Sequence, residues 1–377
     1  MGGRQSKTAV SVTPSIPVTL SSPTKTDGKA ERRKKFRSWR VQSNNDGGAV
    51  ASLNEAWNFT GGSKRNYLKN SSKILLSDST AMHEEIERLQ RQEKLFKRIW
   101  QDNFSSPVED KLKLGGARVL DVGCGPGTWI LEMAEAYPKS TFTGVDFLPI
   151  FPQNNNQLYH HQQGIKKLEN AKFLQVNILD GLPFLDDTFD FVNMRLLITA
   201  FTITEWEQKV IPELIRVTRG GGWIEFMESD IQYHNQGPTT AKLTNAVKTF
   251  MKSKGIISPI DIYTTQSMEA NDKFVMGIQT KEMSCFVGHW ARELGQFAVD
   301  DINKGWNSIR TPMSTLMKVK SHEYDEIVAT FAKEVEQYKT YFKTWRFYGQ
   351  KVKAARSTSS TISWPEQQEP QESQHKQ

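Results

Sequence analysis

The sequence predicts an α/β protein built on a mostly parallel sheet with helices on both faces. Three observations carry this: strand-like and helix-like stretches alternate, one strand runs straight into a glycine-rich turn, and the next strand ends on an acid. Arg118-Val-Leu-Asp121 is a short apolar run that leads into glycines, and Thr128–Tyr137 continues as a helix closed by Pro138. Thr141–Val145 then reads as a strand ending on Asp146, which completes a βαβ unit in about 30 residues.

The alternation extends on both sides of that unit. Before it, Ile86, Leu89, Phe96, Ile99 and Trp100 recur at helical spacing over Glu84–Trp100, with Glu93 interrupting the apolar face. After it come strands near Lys172–Val176 and at Phe189–Met194, a helix over Glu205–Thr218, and a strand at Trp223–Met227. Tyr324, Ile327, Phe331, Val335 and Tyr338 give a further helical stripe, and the aromatic stretch Tyr341–Val352 reads as a closing strand.

Composition sets the outer limits. The chain has 377 residues, 49 Lys and Arg, 42 Asp and Glu, and a net charge of +7. Residues 1–40 alone hold ten Lys/Arg against two Asp/Glu, so the remainder is close to neutral. A nucleic-acid enzyme carries its basic footprint on the folded domain that grips phosphates, so no nucleic-acid partner is expected.

Residues 1–62 are rich in Ser, Thr, Pro, Gly and Asn, and 357–377 in Ser, Thr, Gln and Glu. Both read as disordered tails around a single catalytic domain at 63–356. Two cysteines make no disulfide framework and no Cys-His cluster suggests a metal. With no apolar run of about 18 residues and no secretory core, the expected location is inside the cell, in the cytoplasm.

The chemistry concentrates in Val119-Leu-Asp-Val-Gly-Cys-Gly-Pro-Gly-Thr128. Glycines at 123, 125 and 127 let the chain turn sharply after the strand and approach a ligand closely. Cys124, between them, is read through its backbone N–H, since nothing supplies a base for its thiol. Asp121 is placed to hold an ammonium group, and Asp146, 19 residues past Gly127, to take both hydroxyls of a ribose. A dinucleotide-binding loop spaces its glycines G-x-G-x-x-G/A; here the third comes one residue early and Thr128 stands where Gly or Ala is expected.

With these strings in view, the chain resembles class I S-adenosylmethionine-dependent methyltransferases, and within them it is similar to the fungal LaeA-like group. Beside the glycine loop, the resemblance rests on Phe96–Ser106, Val176–Phe184, Phe189–Arg195 and Gly221–Glu228, within about residues 70–352. It implies a Rossmann-like, seven-stranded sheet whose last strand is antiparallel, and S-adenosyl-L-methionine as cofactor. It also implies roles: Asp121 and the loop backbone for the methionine end, Asp146 for the ribose, Asn177 and Ile178 for the adenine edge, and Phe147 over an adenine face. Two departures stand out. Lys73–Asp78 lacks the Tyr and Pro that relatives carry before the first helix, and Gln153–Gln163 looks like an inserted surface loop.

The function expected is methyl transfer to an unidentified acceptor, a small molecule ahead of a protein; the alternative is a regulator that binds S-adenosylmethionine and acts through partners. No catalytic residue is obligatory, because the reaction is an in-line displacement that needs proximity and exclusion of water. Asn193-Met-Arg-Leu196 differs from the Asn/Asp-Pro-Pro-Tyr/Phe of enzymes acting on amide or base nitrogens.

Other residues have a functional reading beside a plainer one. Arg195, at a strand's C-terminal end, suits an acidic group, with a structural ion pair as the plainer reading. Tyr233 and His234 follow the fifth strand and suit proton handling, against ordinary loop residues. Glu228 and Asp230 suit a base, against exposed acids at a strand end. His160-His161 and His289-Trp290 read as a polar loop and a packed pair.

At the N-terminus, Met1-Gly2-Gly3-Arg4-Gln5-Ser6 fits the pattern for myristoylation of Gly2, and Arg32–Arg40, with Phe36 and Trp39, adds a basic run. Together they predict reversible contact with a membrane surface, with nuclear import through Arg32-Arg33-Lys34-Lys35 as the alternative.

Overall fold

The computed structural model describes residues 79–152, 168–253, 255–256 and 274–353. All lie in the larger of two compact units, Gly47–Gln377. The smaller unit, Met1–Asp46, falls outside the described residues, and with it Gly2 and Arg32–Arg40. Lys73–Asp78, Gln153–Gln163 with His160-His161, and both tails also lie outside them.

The first half alternates as the sequence predicts. α1 (Ser79–Trp100) and α2 (Glu109–Leu114) precede β1 (Arg118–Val122), α3 (Thr128–Ala136), β2 (Thr141–Asp146), β3 (Ala171–Gln175) and β4 (Phe189–Arg195). A helical stretch follows, made of one turn at Ile203–Glu205, a wider π turn at Trp206–Val210, and α4 (Ile211–Val217). Thr202 caps its start reciprocally with Glu205. It leads into β5 (Thr218–His234).

The second half adds α5 (Pro238–Ser253), β6 (Val275–Phe286), α6 (Arg292–Ser308), α7 (Arg310–Met317), α8 (Ser321–Tyr338) and β7 (Tyr341–Lys351). Of these, only α8 and β7 are visible in the sequence pattern. The sheet has seven strands in the order β3-β2-β1-β4-β5-β7-β6. The first five run parallel, and β7 is antiparallel to both neighbours. This is the Rossmann-like class I methyltransferase fold expected from the sequence.

Strand alternation builds the two faces. Leu120, Val122, Val192, Met194, Ile224 and Phe226 point to one face and pack with Trp206, Val210 and Leu214. Val119 and Phe191 point to the other, against Trp129, Ile130, Met133 and Leu112 of α3 and α2. Asp121, Asn193 and Glu225 stand in register on adjacent strands and share that second face, forming a buried polar row under the helices.

β5 outruns the expected Trp223–Met227. Beyond Met227 it leaves β4 behind and continues with β7 as partner through Tyr233↔Phe342 and His234↔Tyr341. Glu228, Asp230, Tyr233 and His234 therefore belong to the strand instead of following it. The extension carries a second core, in which α5, α6 and α8 pack around Leu243, Ala298, Tyr324, Phe331 and Phe342.

Candidate functional site

A cavity of about 440 Å³ opens over the carboxyl ends of β3, β2, β1 and β4 and over the stretch of β5 just past its pairing with β4. In an open parallel sheet this is where ligands bind, because the strands deliver their loops there and the connection reverses between β1 and β4. Of the residues singled out from sequence, Gly123, Cys124, Gly125, Asp146, Phe147, Asn177 and Ile178 line it. Asp121 and Gly127 do not.

The glycines turn out to do different jobs. Gly125 has φ +51°, and a Cβ there would meet only Leu89 Cδ1, at 3.7 Å, so its bare face borders open space. Gly127, with φ +77°, faces the sheet: a Cβ would come within 2.5 Å of Phe173 Cε1. It lets α3 approach β3 and makes no wall of the cavity. The loop's N–H groups are also largely spent internally. Those of Gly123 and Cys124 both donate to Val145 O, at 2.8 and 3.0 Å, and that of Gly127 to Cys124 O. The Cys124 N–H, the group through which the sequence reads this residue, is used by the loop to close on β2.

Asp146 completes the closure. Its Oδ2 accepts the Gly125 N–H and its Oδ1 the Leu148 N–H, both at 2.8 Å. Burial raises its carboxyl above the usual range while these donors oppose the shift. A carboxylate offers about four lone-pair sites, so acceptor capacity remains for a ligand beside the backbone donors. Asn177 is likewise engaged: its Oδ1 accepts from Leu179 N–H and its Nδ2 donates to Asp180 Oδ2, capping a short turn. Ile178 is buried in the wall and Phe147 is half-buried beside it.

Behind the loop, Asp121 Oδ1 accepts from Asn193 Nδ2 at 2.9 Å. Its other oxygen is buried with no hydrogen-bond partner among the described residues. Burial pushes this carboxyl up to about 7, and the nearby Arg195 guanidinium restrains it. The Cys124 thiol is pushed well up by burial, so it is no nucleophile.

α1 roofs the cavity with Glu85, Arg88, Leu89, Gln92 and Glu93, residues its helical period puts on one face. Glu85 holds Arg88 through two hydrogen bonds of 2.8 and 2.7 Å. Glu93, which breaks the apolar stripe in the sequence, pairs with Arg195 at 2.8 Å, both side chains being 12% exposed. Arg195 therefore forms a structural ion pair, and it also lies over the Trp129 ring at 5.3 Å.

Glu228 departs most from its sequence reading. It is not an exposed acid: it is 1% exposed and lines the cavity, with Oε1 accepting the Leu197 N–H at 2.8 Å. The other strand-end candidates are not in the wall. Tyr233 packs against Phe331 and Phe342, His234 stacks on Tyr341, and Asp230 accepts from Gln232 N–H. His289 contacts Glu336, and the Trp290 indole donates to Val287 O. Sequence reading also missed the segment Leu196–Phe201, which lines the cavity after β4; Leu196 has the left-handed φ of +57°.

Residues 119–222 match the family model described as a methyltransferase domain. The demethylmenaquinone methyltransferase of Bacillus velezensis is 34% identical over 119 residues, 30% of this chain and 46% of that protein. The secondary metabolism regulator laeA of Aspergillus fumigatus is 28% identical over 116 residues, 30% of this chain and 27% of that protein. The phosphoethanolamine N-methyltransferase 2 structure of Haemonchus contortus aligns with 13% identity and a TM-score of 0.41, covering 73% of this chain and 58% of that one. The chain spans half or less of the length of these curated relatives. The methyltransferase family model and laeA are thus both among what this chain is similar to.

Proposed function

We propose that this chain, which carries a domain of the methyltransferase family over residues 119–222, is a class I methyltransferase that uses S-adenosyl-L-methionine. The observation that carries the reading is the cavity over the carboxyl ends of β1 to β4, bounded by the bare face of Gly125 and the carboxylate of Asp146. A Cβ at Gly125 would fill part of that space, and the buried, unpartnered oxygen of Asp121 lies behind it. Both suit a ligand with a cationic methionine end.

The chain's own residues then divide the work. Asp146 would accept the ribose hydroxyls on its remaining acceptor capacity. Phe147 and Ile178 would flank the adenine, with Asn177 at its polar edge. Asp121 and Arg195 set the charge around the methionine end. When bound, S-adenosylmethionine supplies an electrophilic methyl group on a sulfonium. The protein's task is to align an acceptor behind that methyl and keep water out, and the α1 roof serves that exclusion.

A small-molecule acceptor is supported by the apolar side chains of Leu196, Leu197, Ile198, Phe201 and Ile231 in the cavity wall. Contact of Gly2 and Arg32–Arg40 with a membrane is a separate proposal resting on sequence pattern, and mass spectrometry of the N-terminus tests it: an acyl chain on Gly2 supports it, a free or acetylated Gly2 overturns it.

Titration calorimetry with S-adenosylmethionine and with NAD tests the main reading. Binding of the first and none of the second is expected, followed by release of S-adenosylhomocysteine when acceptor-containing extract is added. Preference for NAD would overturn it.

A further inference from the structure

The cavity has two chemically distinct ends. Asp146 closes β2 and Glu228 lies on β5, with β1 and β4 between them, so three strand spacings, about 14 Å, separate the two acids. At the β4–β5 end the wall is apolar: Leu196, Leu197, Ile198, Phe201 and Ile231. Glu228 is set into that apolar wall.

Its surroundings are unusual for a carboxylate. Oε1 is held by the Leu197 N–H at 2.8 Å, while Oε2 is buried with no hydrogen-bond partner among the described residues. Leaving such an oxygen unpaired is costly, and anchoring the turn at Leu197 uses only its twin. The charged side chains that share the cavity wall are Glu85, Arg88, Glu93, Arg195 and Asp146. Both cations among them are already engaged, Arg88 by Glu85 and Arg195 by Glu93. Burial raises the Glu228 carboxyl to about 8, opposed only by the Leu197 and Ile198 N–H groups. What would complete Glu228 is therefore a proton donor or cation brought by a ligand.

We propose that the β4–β5 end of the cavity is the methyl-acceptor subsite, that its substrate is a largely apolar small molecule bearing one acidic O–H or N–H, and that Glu228 Oε2 is the base that receives this proton. The inference rests on the methyltransferase reading above. The step balances: the acceptor's O or N lone pair forms the bond to the methyl carbon, the sulfur–carbon bond breaks and its electron pair returns to sulfur, and the acceptor proton passes to Oε2. The products are methylated acceptor, neutral S-adenosylhomocysteine and protonated Glu228. A carboxyl titrating near neutrality suits this exchange better than an ordinary one, because it is a stronger base once ionised.

Two ligands probe the subsite without knowledge of the acceptor. Sinefungin carries an ammonium on carbon where S-adenosylmethionine carries methyl on sulfur; S-adenosylhomocysteine carries nothing there. With Glu228 within reach of that position, directly or through one water, Glu228→Gln should lower sinefungin affinity by about 10- to 100-fold and leave S-adenosylhomocysteine affinity unchanged. Gln retains the acceptor oxygen for the Leu197 N–H, so the turn is kept, and a melting curve checks this. Equal loss for both ligands, or no loss for sinefungin, would overturn the role of Glu228 and leave it an anchor for Leu197. Wild-type protein that binds neither ligand would instead overturn the methyltransferase reading.

Discussion

Asp146 Oδ2 accepts the N–H of Gly125 at 2.8 Å, so the acid that ends β2 also fixes the glycine loop that follows β1. Binding and loop shape are thereby tied to one side chain. Asp146→Ala removes the ribose contact and the loop anchor together, and S-adenosylmethionine affinity should fall roughly 10- to 150-fold. Calorimetry reads this directly, and an unchanged dissociation constant would show that the acid plays no part in binding.

The two glycines separate binding from stability. Gly127→Ala meets a left-handed φ of +77° and the Phe173 ring at 2.5 Å, so it should destabilise the fold by about 1–3 kcal/mol. Gly125→Val points into the cavity, where its only near neighbour is Leu89. Its φ of +51° is left-handed too, so the branched side chain should share the backbone strain of the Gly127 variant and add a loss of binding that Gly127→Ala does not show. Denaturation and calorimetry on the two proteins test the contrast, and a Gly127 variant that melts like wild type would remove the packing role assigned to it.

These contacts mark how far the sequence could be read. The parallel half was legible because β1 and β4 carry apolar runs, β2 ends on an acid, and helical periods stand out between them. β6 was not: as an edge strand it exposes Met276, Gln279, Lys281 and Met283, so it lacks the apolar alternation that identifies a half-buried strand. The glycine loop and Asp146 could be found because their spacing is local. Glu228 could not be seen as buried, since it pairs in register with Trp345, 117 positions along the chain. The same distance effect hid the partnership of Glu93 with Arg195, although a charge on the apolar face of α1 was its trace in the sequence.

That partnership makes its own prediction. Breaking a buried ion pair strands the surviving charge, at a cost of about 3–5 kcal/mol. Arg195→Met should be the more damaging single change, because it leaves both Glu93 and Asp121 without their cation. Adding Glu93→Gln to Arg195→Met should restore part of the loss. Urea unfolding of the two single variants and the double variant measures the coupling, and strict additivity would show that the pair is not an energetic unit.

A pH dependence follows from the buried acids, and its sign can be worked out. Burial raises Asp121 from 3.8 to about 7, Glu228 from 4.5 to about 8 and Asp301 from 3.8 to about 6. Between the two values of each group the native state holds a proton that the unfolded chain has released. Stability therefore falls with rising pH across that window. The contribution is complete below about pH 4 and gone above about pH 8. Glu213, Glu334 and Glu336 are shifted the other way by hydrogen bonds, and they produce a loss on the acid side as pH falls below their ordinary range. The ligand-free protein should thus be most stable near pH 5, with a melting temperature that declines steadily to pH 8. Glu228→Gln, which cannot ionise, should flatten the decline from about pH 4.5 up to 8, whereas Asp121→Asn should flatten it only below about 7, so the stretch between 7 and 8 distinguishes the two. A melting temperature that rises from pH 5 to 8, or a decline unchanged in both variants, would show that these carboxyls do not stay protonated in the folded chain.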